Sequence, residues 1–115
     1  MRPNGIHQKL WNRIDMLGAP IAAEVPASAS HVRRWVCIYV GGRSLVPSLP
    51  PHKYQVYEFE LLKDKLAEYE GDEDLIITSS SRHYINSISE LDALLSRLGV
   101  NPELFDAPWH VDYPF

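Results

Sequence analysis

A run of six apolar residues at positions 35–40, Trp-Val-Cys-Ile-Tyr-Val, constrains the fold more than any other feature of this sequence. Arg33-Arg34 precede the run and Gly41-Gly42 follow it. Aromatic and β-branched residues without polar alternation are typical of a strand that is covered on both faces. We therefore predict a strand over residues 33–40 with a layer packed on each side of it.

The length of 115 residues is close to the common size of one domain, and one core of that size can form without disulfides or a metal. We expect residues 1–115 to form a single domain. Cys37 is the sole cysteine, so it has no internal disulfide partner, and its apolar neighbours predict a buried structural thiol. A lone free cysteine favours a reducing compartment, here the cytoplasm. No apolar run reaches the roughly 18–20 residues that span a bilayer.

Apolar residues at helical spacing predict three helices. The first covers residues 5–17, between a cap at Asn4 and a stop at Gly18. The second begins near residue 56 and ends at Gly71, with residues 54–57 left open as a short strand instead. The third has the capping box Ser87 and Glu90 and ends at Gly99. The stripes of the three helices are, in order, Ile6, Leu10, Ile14 and Leu17; Val56, Phe59, Leu62, Leu66 and Tyr69; and Ile88, Leu91, Leu94, Leu95 and Leu98.

The remaining segments predict two further short strands and several loops. Residues 75–78 and 83–85 are the strands, joined by a turn at Ser79-Ser80-Ser81. Residues 19–30 and 41–53 read as loops, and we expect 19–32 to be mobile. Trp109, Tyr113 and Phe115 should pack back on the core, because large aromatic side chains are costly to leave in water. The fold class is therefore α/β or α+β, a small mixed sheet of about three strands packed with three helices.

Charge is distributed unevenly along the chain. Residues 1–53 carry a net charge of +5 and residues 54–115 carry −9, within a total of −4. A nucleic-acid-binding protein needs a clustered basic face, so the acidic half argues against direct contact with nucleic acid. An acidic half favours a basic partner instead.

Five acidic side chains lie within seven positions around Gly71, and they are the candidate partner-binding residues. Acidic groups at a helix C-terminus are unfavourable by about 0.3–1 kcal/mol each, so folding alone does not explain them. One interpretation is a solvated turn that keeps the chain soluble. The other is an anionic patch that docks into a basic cleft. The residues are Glu68, Glu70, Asp72, Glu73 and Asp74.

No set of residues in the sequence has the spacing of a catalytic or metal site. Ser80, Ser81 and His83 lack a carboxylate partner, and neighbouring strand residues point to opposite faces. His52, His83 and His110 have no spacing that would bring two of them together as an acid–base pair. His110 and Asp112 supply only two metal ligands. The segment Gly41-Gly42-Arg43-Ser44 lacks the ending of a phosphate loop. We therefore predict no enzyme activity, no cofactor and no metal.

The second half of the chain resembles small bacterial immunity proteins of contact-dependent growth inhibition toxin–immunity pairs. The resemblance covers residues 54–115 and is a pattern rather than a fixed motif. It rests on Ser87-Ile88-Ser89-Glu90-Leu91, the helix through Leu98-Gly99, Pro102-Glu103-Leu104-Phe105, Pro108-Trp109 and Asp112-Tyr113-Pro114.

The resemblance implies a cytoplasmic inhibitor that binds a cognate toxin, often a nuclease, and occludes its active site. Such proteins share no catalytic residues, so no site residue is carried over by position. A nuclease holds phosphates in a basic groove, which an acidic inhibitor would complement. Two alternatives stay open: an acidic adaptor or regulatory subunit with another basic partner, and a small enzyme that uses His83 or His110.

Overall fold

The computed structural model describes residues 2–41, 52–66 and 76–115. Within them the chain is of mixed α+β class, with a single antiparallel sheet in the order β1-β2-β3-β4. The strands are β1 Ile21–Val25, β2 Val32–Val40, β3 Tyr54–Leu62 and β4 Ile77–Ile85. The helices are α1 Gln8–Asp15, α2 Lys63–Leu66 and α3 Ile88–Arg97, followed by 3-10 turns at Pro102–Leu104 and Pro108–His110.

The predicted class and the number of helices are confirmed, but most of the described part of the second predicted helix is strand, and the sheet differs from the prediction. The described residues form four strands rather than about three, and every pairing is antiparallel rather than mixed. Each strand therefore pairs with its neighbour in sequence, as consecutive strands commonly do.

Strand β2 confirms the prediction from the apolar run. Trp35, Cys37 and Tyr39 lie on one face of the sheet, and Val36 and Ile38 on the other, because successive side chains of a strand alternate. Residues 35–38 are fully buried. The strand is the second of four and has a neighbour on each edge.

The prediction of a helix from residue 56 is wrong. Residues 54–62 form β3, which pairs with all of β2, for example Phe59 opposite Trp35. Tyr57, Phe59 and Leu61 alternate onto one face, and this period of two competes with the helical spacing. The alternative of a strand at 54–57 has the right type but is too short. Residues 67–71, including the proposed stop at Gly71, lie outside the described part of the chain.

Two loop predictions are also wrong. Residues 21–25, assigned to a loop, form β1, which pairs with 34–38 of β2 and is held on its outer side by a bridge between Ala22 and Asp106. Ser79-Ser80-Ser81, assigned to a turn, lie inside β4 opposite Glu58, Phe59 and Glu60 of β3. The two short strands predicted at 75–78 and 83–85 are therefore one strand that begins at Ile77.

The helix ends follow the local signals in the sequence. The N–H of Glu90 donates to Ser87 Oγ at 3.2 Å, so the predicted cap at Ser87 is confirmed. The Glu90 carboxylate accepts from the N–H of Asn86 at 3.0 Å, one residue before the position that a capping box requires. Gly99 has a φ of 71°, a left-handed conformation that favours glycine. Helix α1 is shorter than predicted, because His7 rather than Asn4 caps it, accepting from the N–H of Lys9 at 3.2 Å.

Helices α1 and α3 pack on one face of the sheet, which we call the helix side. This core is mostly aliphatic, since Trp11 and Phe105 are the large aromatic residues among its buried members. Its buried residues from the sheet and helices include Ile14, Ile21, Ala23, Val25, Val36, Ile38, Val56, Ile85, Leu91, Leu94 and Leu95.

The opposite face, which we call the tail side, carries an aromatic core. Trp35, Tyr57, Phe59 and Leu61 are buried there, with Tyr113 and Phe115 packed against them. No helix in the described ranges has the length and apolar character needed to cross a bilayer.

Candidate functional site

The five acidic residues of the predicted partner-binding cluster lie outside the described residues, as do Gly42, Arg43 and Ser44 of the rejected phosphate loop. The residues that flank the acidic segment are anchored. Leu66, at the end of α2, packs against the aromatic core of the tail side, and Ile76 is 5% exposed. The N–H of Leu62 donates to the carbonyl of Ile76 at 2.9 Å. The described residues on either side of the acidic segment therefore lie close to the place where β3 ends and β4 begins.

The described residues account for none of the net charge. They contain ten Lys or Arg and ten Asp or Glu, whereas the whole sequence contains 11 and 15. The difference consists of Arg43 and the five acidic residues of the cluster. The formal charge of −4 therefore belongs to the two segments 42–51 and 67–75.

The three histidines weighed as a catalytic pair lie in different parts of the molecule. His52 is buried with its ring 4.8 Å from that of Tyr84, which projects to the tail side. His83 lies opposite Val56 on the helix side. His110 Nδ1 lies 2.9 Å from Asp106 Oδ1 near α1.

The proposed metal pair is also separated. His110 contacts Asp106, whereas Asp112 Oδ2 lies 3.6 Å from Arg33 Nη2. No three His, Cys, Asp or Glu residues of the described ranges form a group that could hold a metal ion.

A chain of polar contacts crosses the helix side of the sheet beyond the end of the apolar core. Arg34 Nη2 donates to Glu58 Oε2 at 2.5 Å, and Ser81 Oγ lies 3.3 Å from Glu58 Oε1. Ser81 Oγ also lies 3.0 Å from His83 Nε2. We call this set, Arg34, Glu58, Ser81 and His83, the polar chain. Sequence reasoning missed it because Ser81 was assigned to a turn, whereas residues two apart on one strand share a face.

The order of contacts in the polar chain does not match a nucleophilic serine site. Such a site needs a histidine that accepts the serine proton and a carboxylate that orients the histidine. Here Glu58 contacts Ser81 rather than His83, and Arg34 binds the same carboxylate. If the single Ser81 proton is donated to Glu58, then His83 Nε2 must be the donor to Ser81. The contacts within the polar chain thus fix the orientations of its side chains, which are half-buried on the helix side of the sheet.

The C-terminal segment presents a tryptophan to solvent. Trp109 is 67% exposed, so the prediction that it packs on the core is wrong, whereas the packing predicted for Tyr113 and Phe115 is confirmed. The Arg13 guanidinium lies over the Trp109 ring at 4.8 Å from its centroid, within the range of a cation–π contact. Trp109 sits in the turn Pro108–His110, whose backbone position is fixed by bonds from His110 to Ala107 and from Val111 to Pro108.

A groove of about 570 Å³ runs between α1 and this C-terminal segment, and we call it the Trp109 groove. Leu10, Phe105, Ala107 and Trp109 supply its apolar surface, and Lys9 and Arg13 its fixed positive charge. His7, Asp106 and His110 complete the lining. The hydrogen bond from His110, together with the N–H of Ala107, lowers the pKa of Asp106. Asp106 is therefore ionised, but its Oδ1 atom already accepts from these two groups.

Cys37 is fully buried beneath the aromatic core, which confirms the sequence prediction. Burial raises the pKa of its thiol to about 11. The thiolate is the nucleophilic form of cysteine, and at neutral pH this thiol is protonated. Tyr39 and Tyr113 share a hydroxyl–hydroxyl hydrogen bond nearby, and burial raises the pKa of both phenols. Cys37 is therefore a packing residue of the tail side.

Comparisons with protein families, with curated proteins and with solved structures give no match to this chain.

Proposed function

We propose that this protein is an immunity protein that binds and neutralises a cognate bacterial toxin of the nuclease class. It acts in the cytoplasm, one inhibitor to one toxin, by occluding a basic active-site cleft. The pattern in residues 54–115 that resembles small immunity proteins supports the class of function. The charge distribution supports the mode of binding.

One observation carries the proposal: the described residues are neutral as a set, so the acidic character of the chain is concentrated in the cluster at 68–74. A uniformly acidic surface would simply favour solubility. A local excess of negative charge on a neutral body produces a directional field, which steers association with an oppositely charged partner. A nuclease cleft that binds phosphates is such a partner.

The anchoring of the flanking residues also favours this function. Leu66 and Ile76 hold the two ends of the acidic segment against the sheet. The two described residues that flank the segment therefore have fixed positions on the sheet. Binding then loses less conformational freedom than it would for an acidic tail attached at one end.

Two alternatives remain, and each has a discriminating observation. An acidic adaptor would also bind a basic partner, but a neighbouring reading frame that encodes a toxin domain favours an immunity protein. A small enzyme would use His83 or His110. Glu58 binds Arg34 and Ser81 rather than His83, so no carboxylate orients that imidazole. His110 has a carboxylate partner in Asp106, but the described residues that line the groove around it include no Ser, Thr or Cys nucleophile.

The test begins with a pull-down from the source cell and mass spectrometry to identify the partner. Association and dissociation rates are then measured for the variant E70Q/D72N/E73Q at low and at physiological salt. We expect association to slow by about tenfold or more at low salt, since steering raises on-rates by factors of about 10–10³. The difference should shrink as salt rises, because the screening length falls to about 8 Å at 0.15 M.

The matched control is D15N/D64N/E103Q, which removes the same three charges from exposed positions in the described residues. This control separates a local effect of the cluster from a change in net charge. Equal slowing in both variants, or no slowing in either, would contradict the role of the cluster. A partner without a basic cleft would contradict the proposed function itself.

A further inference from the structure

We infer that the Trp109 groove binds an acidic peptide segment that carries apolar side chains, presented by a partner protein. This surface is distinct from the acidic cluster, and the inference goes beyond the proposed function. It rests on the exposed tryptophan, on the balance of charge in the groove and on the rigidity of its walls.

The apolar surface of the groove is the first argument. Trp109 is 67% exposed, whereas the other two tryptophans, Trp11 and Trp35, are fully buried. Leu10 and Phe105 continue the apolar surface from the Trp109 ring into the groove. Tryptophan and arginine are the residues most enriched where protein interfaces concentrate their binding energy. Arg13 and Trp109 are in contact here.

The charge of the groove is the second argument, and it decides the chemistry of the partner. Lys9 is exposed, and Arg13 Nη2 makes one long bond of 3.4 Å to the carbonyl of Pro20. Arg13 Nε is buried and has no hydrogen-bond partner among the described residues. The buried Nε atom is not accessible to a ligand, so Arg13 would act on a carboxylate through its Nη atoms and its fixed charge. The groove lining contains two fixed cations, Lys9 and Arg13, and one ionised carboxylate, Asp106. The hydrogen bonds from His110 and the N–H of Ala107 lower the pKa of Asp106, and the charge of Arg13 lowers it further. An incoming carboxylate therefore meets a net positive charge.

Asp106 and Glu103 at this end of the molecule also argue against a polyanion such as nucleic acid. A phosphate chain needs a continuous basic surface, which two fixed cations beside two carboxylates do not provide. A peptide that alternates acidic and apolar side chains can place each type against its complement.

The rigidity of the groove is the third argument. Ala22 and Asp106 exchange two backbone hydrogen bonds of 3.0 and 2.9 Å, which tie the C-terminal segment to the edge strand β1. Pro108 begins the turn that carries Trp109. The other wall is α1, whose Trp11 and Ile14 are buried in the helix-side core. A preformed site of this kind loses little freedom when it binds a ligand.

The experiment uses the full chain and a short synthetic peptide in which Asp or Glu alternates with Leu or Phe. Trp109 is the one exposed tryptophan of the three in the sequence, so tryptophan emission and its quenching by acrylamide report the occupancy of the groove. We expect the acidic peptide to shift the emission to the blue and to reduce quenching, with saturation at or below millimolar concentration. The same peptide with Lys at each acidic position and a short oligothymidylate should have no such effect.

Binding of the acidic peptide, measured by calorimetry, should weaken at least tenfold in W109A and severalfold in K9Q. Lys9 is exposed and its side chain makes no hydrogen bond or ion pair with the described residues, so K9Q keeps the test valid if W109A does not fold. The matched control is R97Q, an exposed cation of α3, which should bind like the parent. The inference is overturned if the acidic peptide does not bind, if the lysine peptide binds equally well, or if oligothymidylate binds more tightly. None of these results depends on how the variant E70Q/D72N/E73Q binds its partner. The inference about the groove and the proposed function can therefore be contradicted independently.

Discussion

The two faces of the sheet are covered in different ways. On the helix side, α1 and α3 seal an aliphatic core through continuous apolar stripes. On the tail side, an aromatic core is covered by Val111, Tyr113 and Phe115, which belong to no helix or strand. The helix side therefore depends on the burial of apolar area, whereas the tail side also depends on a few specific contacts.

Those contacts are directional. Trp35 Nε1 donates to the carbonyl of Val111 at 2.8 Å, and Tyr39 and Tyr113 join through their hydroxyl groups. Phe59 lies 5.0 Å from Phe115 and 5.8 Å from Tyr113, measured between ring centroids. A short segment without secondary structure can cover a sheet face when hydrogen bonds fix its position and aromatic rings supply the area. The tail side is therefore more sensitive than the helix side to the loss of a single hydrogen-bonding atom.

The substitutions W35F and W11F compare the two faces with one chemical change. Both residues are fully buried, but Trp11 Nε1 has no hydrogen-bond partner in the described residues, whereas Trp35 Nε1 binds Val111. W35F should leave the Val111 carbonyl unpaired, a loss of about 1–3 kcal/mol. We therefore expect W35F to lower the free energy of unfolding by about that much more than W11F, measured by urea denaturation. Equal effects would mean that the tail side is held by burial alone.

Accessibility of Cys37 tests the same difference locally. A chain that ends at Asp112 lacks Tyr113 and Phe115, and with them the hydrogen bond of Tyr113 to the thiol, while the helix side is unchanged. Burial holds the thiol pKa at about 11, so opening the tail side lowers the pKa as well as exposing the sulfur. We expect a thiol reagent at pH 8 to label the shortened chain about tenfold faster than the parent.

The control for the labelling experiment is L94A, which weakens the helix-side core. The free energy of unfolding is measured for the shortened chain and for L94A. Their labelling rates are then compared after correction for the difference in stability. Labelling that follows global stability alone in both variants would show that the tail side does not open by itself.

The smallest effect is expected at the polar end of the helix side, where no helix covers the sheet. The N–H and the hydroxyl of Ser28 both donate to Glu60 Oε2, at 3.0 and 2.8 Å, and these bonds lower the pKa of Glu60. A carboxylate whose pKa is lowered by folding stabilises the fold above its unfolded pKa of about 4.5, and this stabilisation is lost as the pH falls through the folded value. E60Q should therefore unfold at slightly lower urea than the parent at pH 7, and the difference should vanish toward pH 3. A difference in stability between E60Q and the parent that persists at pH 3 would indicate an effect of packing rather than of charge.

The cap and the stop of α3 were predictable because their signals are local. Ser87, Glu90 and Gly99 lie within a few residues of the backbone groups that they satisfy. The sheet was harder, since strand identity depends on partners distant in sequence. Val56, Phe59 and Leu62 have helical spacing, yet Tyr57, Phe59 and Leu61 alternate with less buried residues, and pairing with β2 selects this period of two. Three consecutive serines favour turns in isolation, but an edge strand tolerates polar residues.

Among the candidate site residues, too, those with local signals were predictable and those that depend on distant partners were not. Burial of Cys37 followed from its six-residue apolar run. The polar chain could not be predicted from a local pattern, because Glu58 contacts Ser81 only through the β3–β4 register. Exposure of Trp109 was missed because aromatic residues are usually buried. Its contact Arg13 lies at the other end of the sequence, so no local pattern marks the pair.

The antiparallel order β1-β2-β3-β4 together with a tail-side cover at 111–115 has a consequence for folding during translation. Each strand can pair with the strand made just before it, so the sheet can assemble as the chain emerges from the ribosome. The aromatic face, however, stays open until residues 111–115 emerge. For that interval Trp35, Tyr57 and Phe59 form an exposed apolar surface, and chaperone binding should be strongest to nascent chains in which β4 has emerged from the ribosome and residues 111–115 have not.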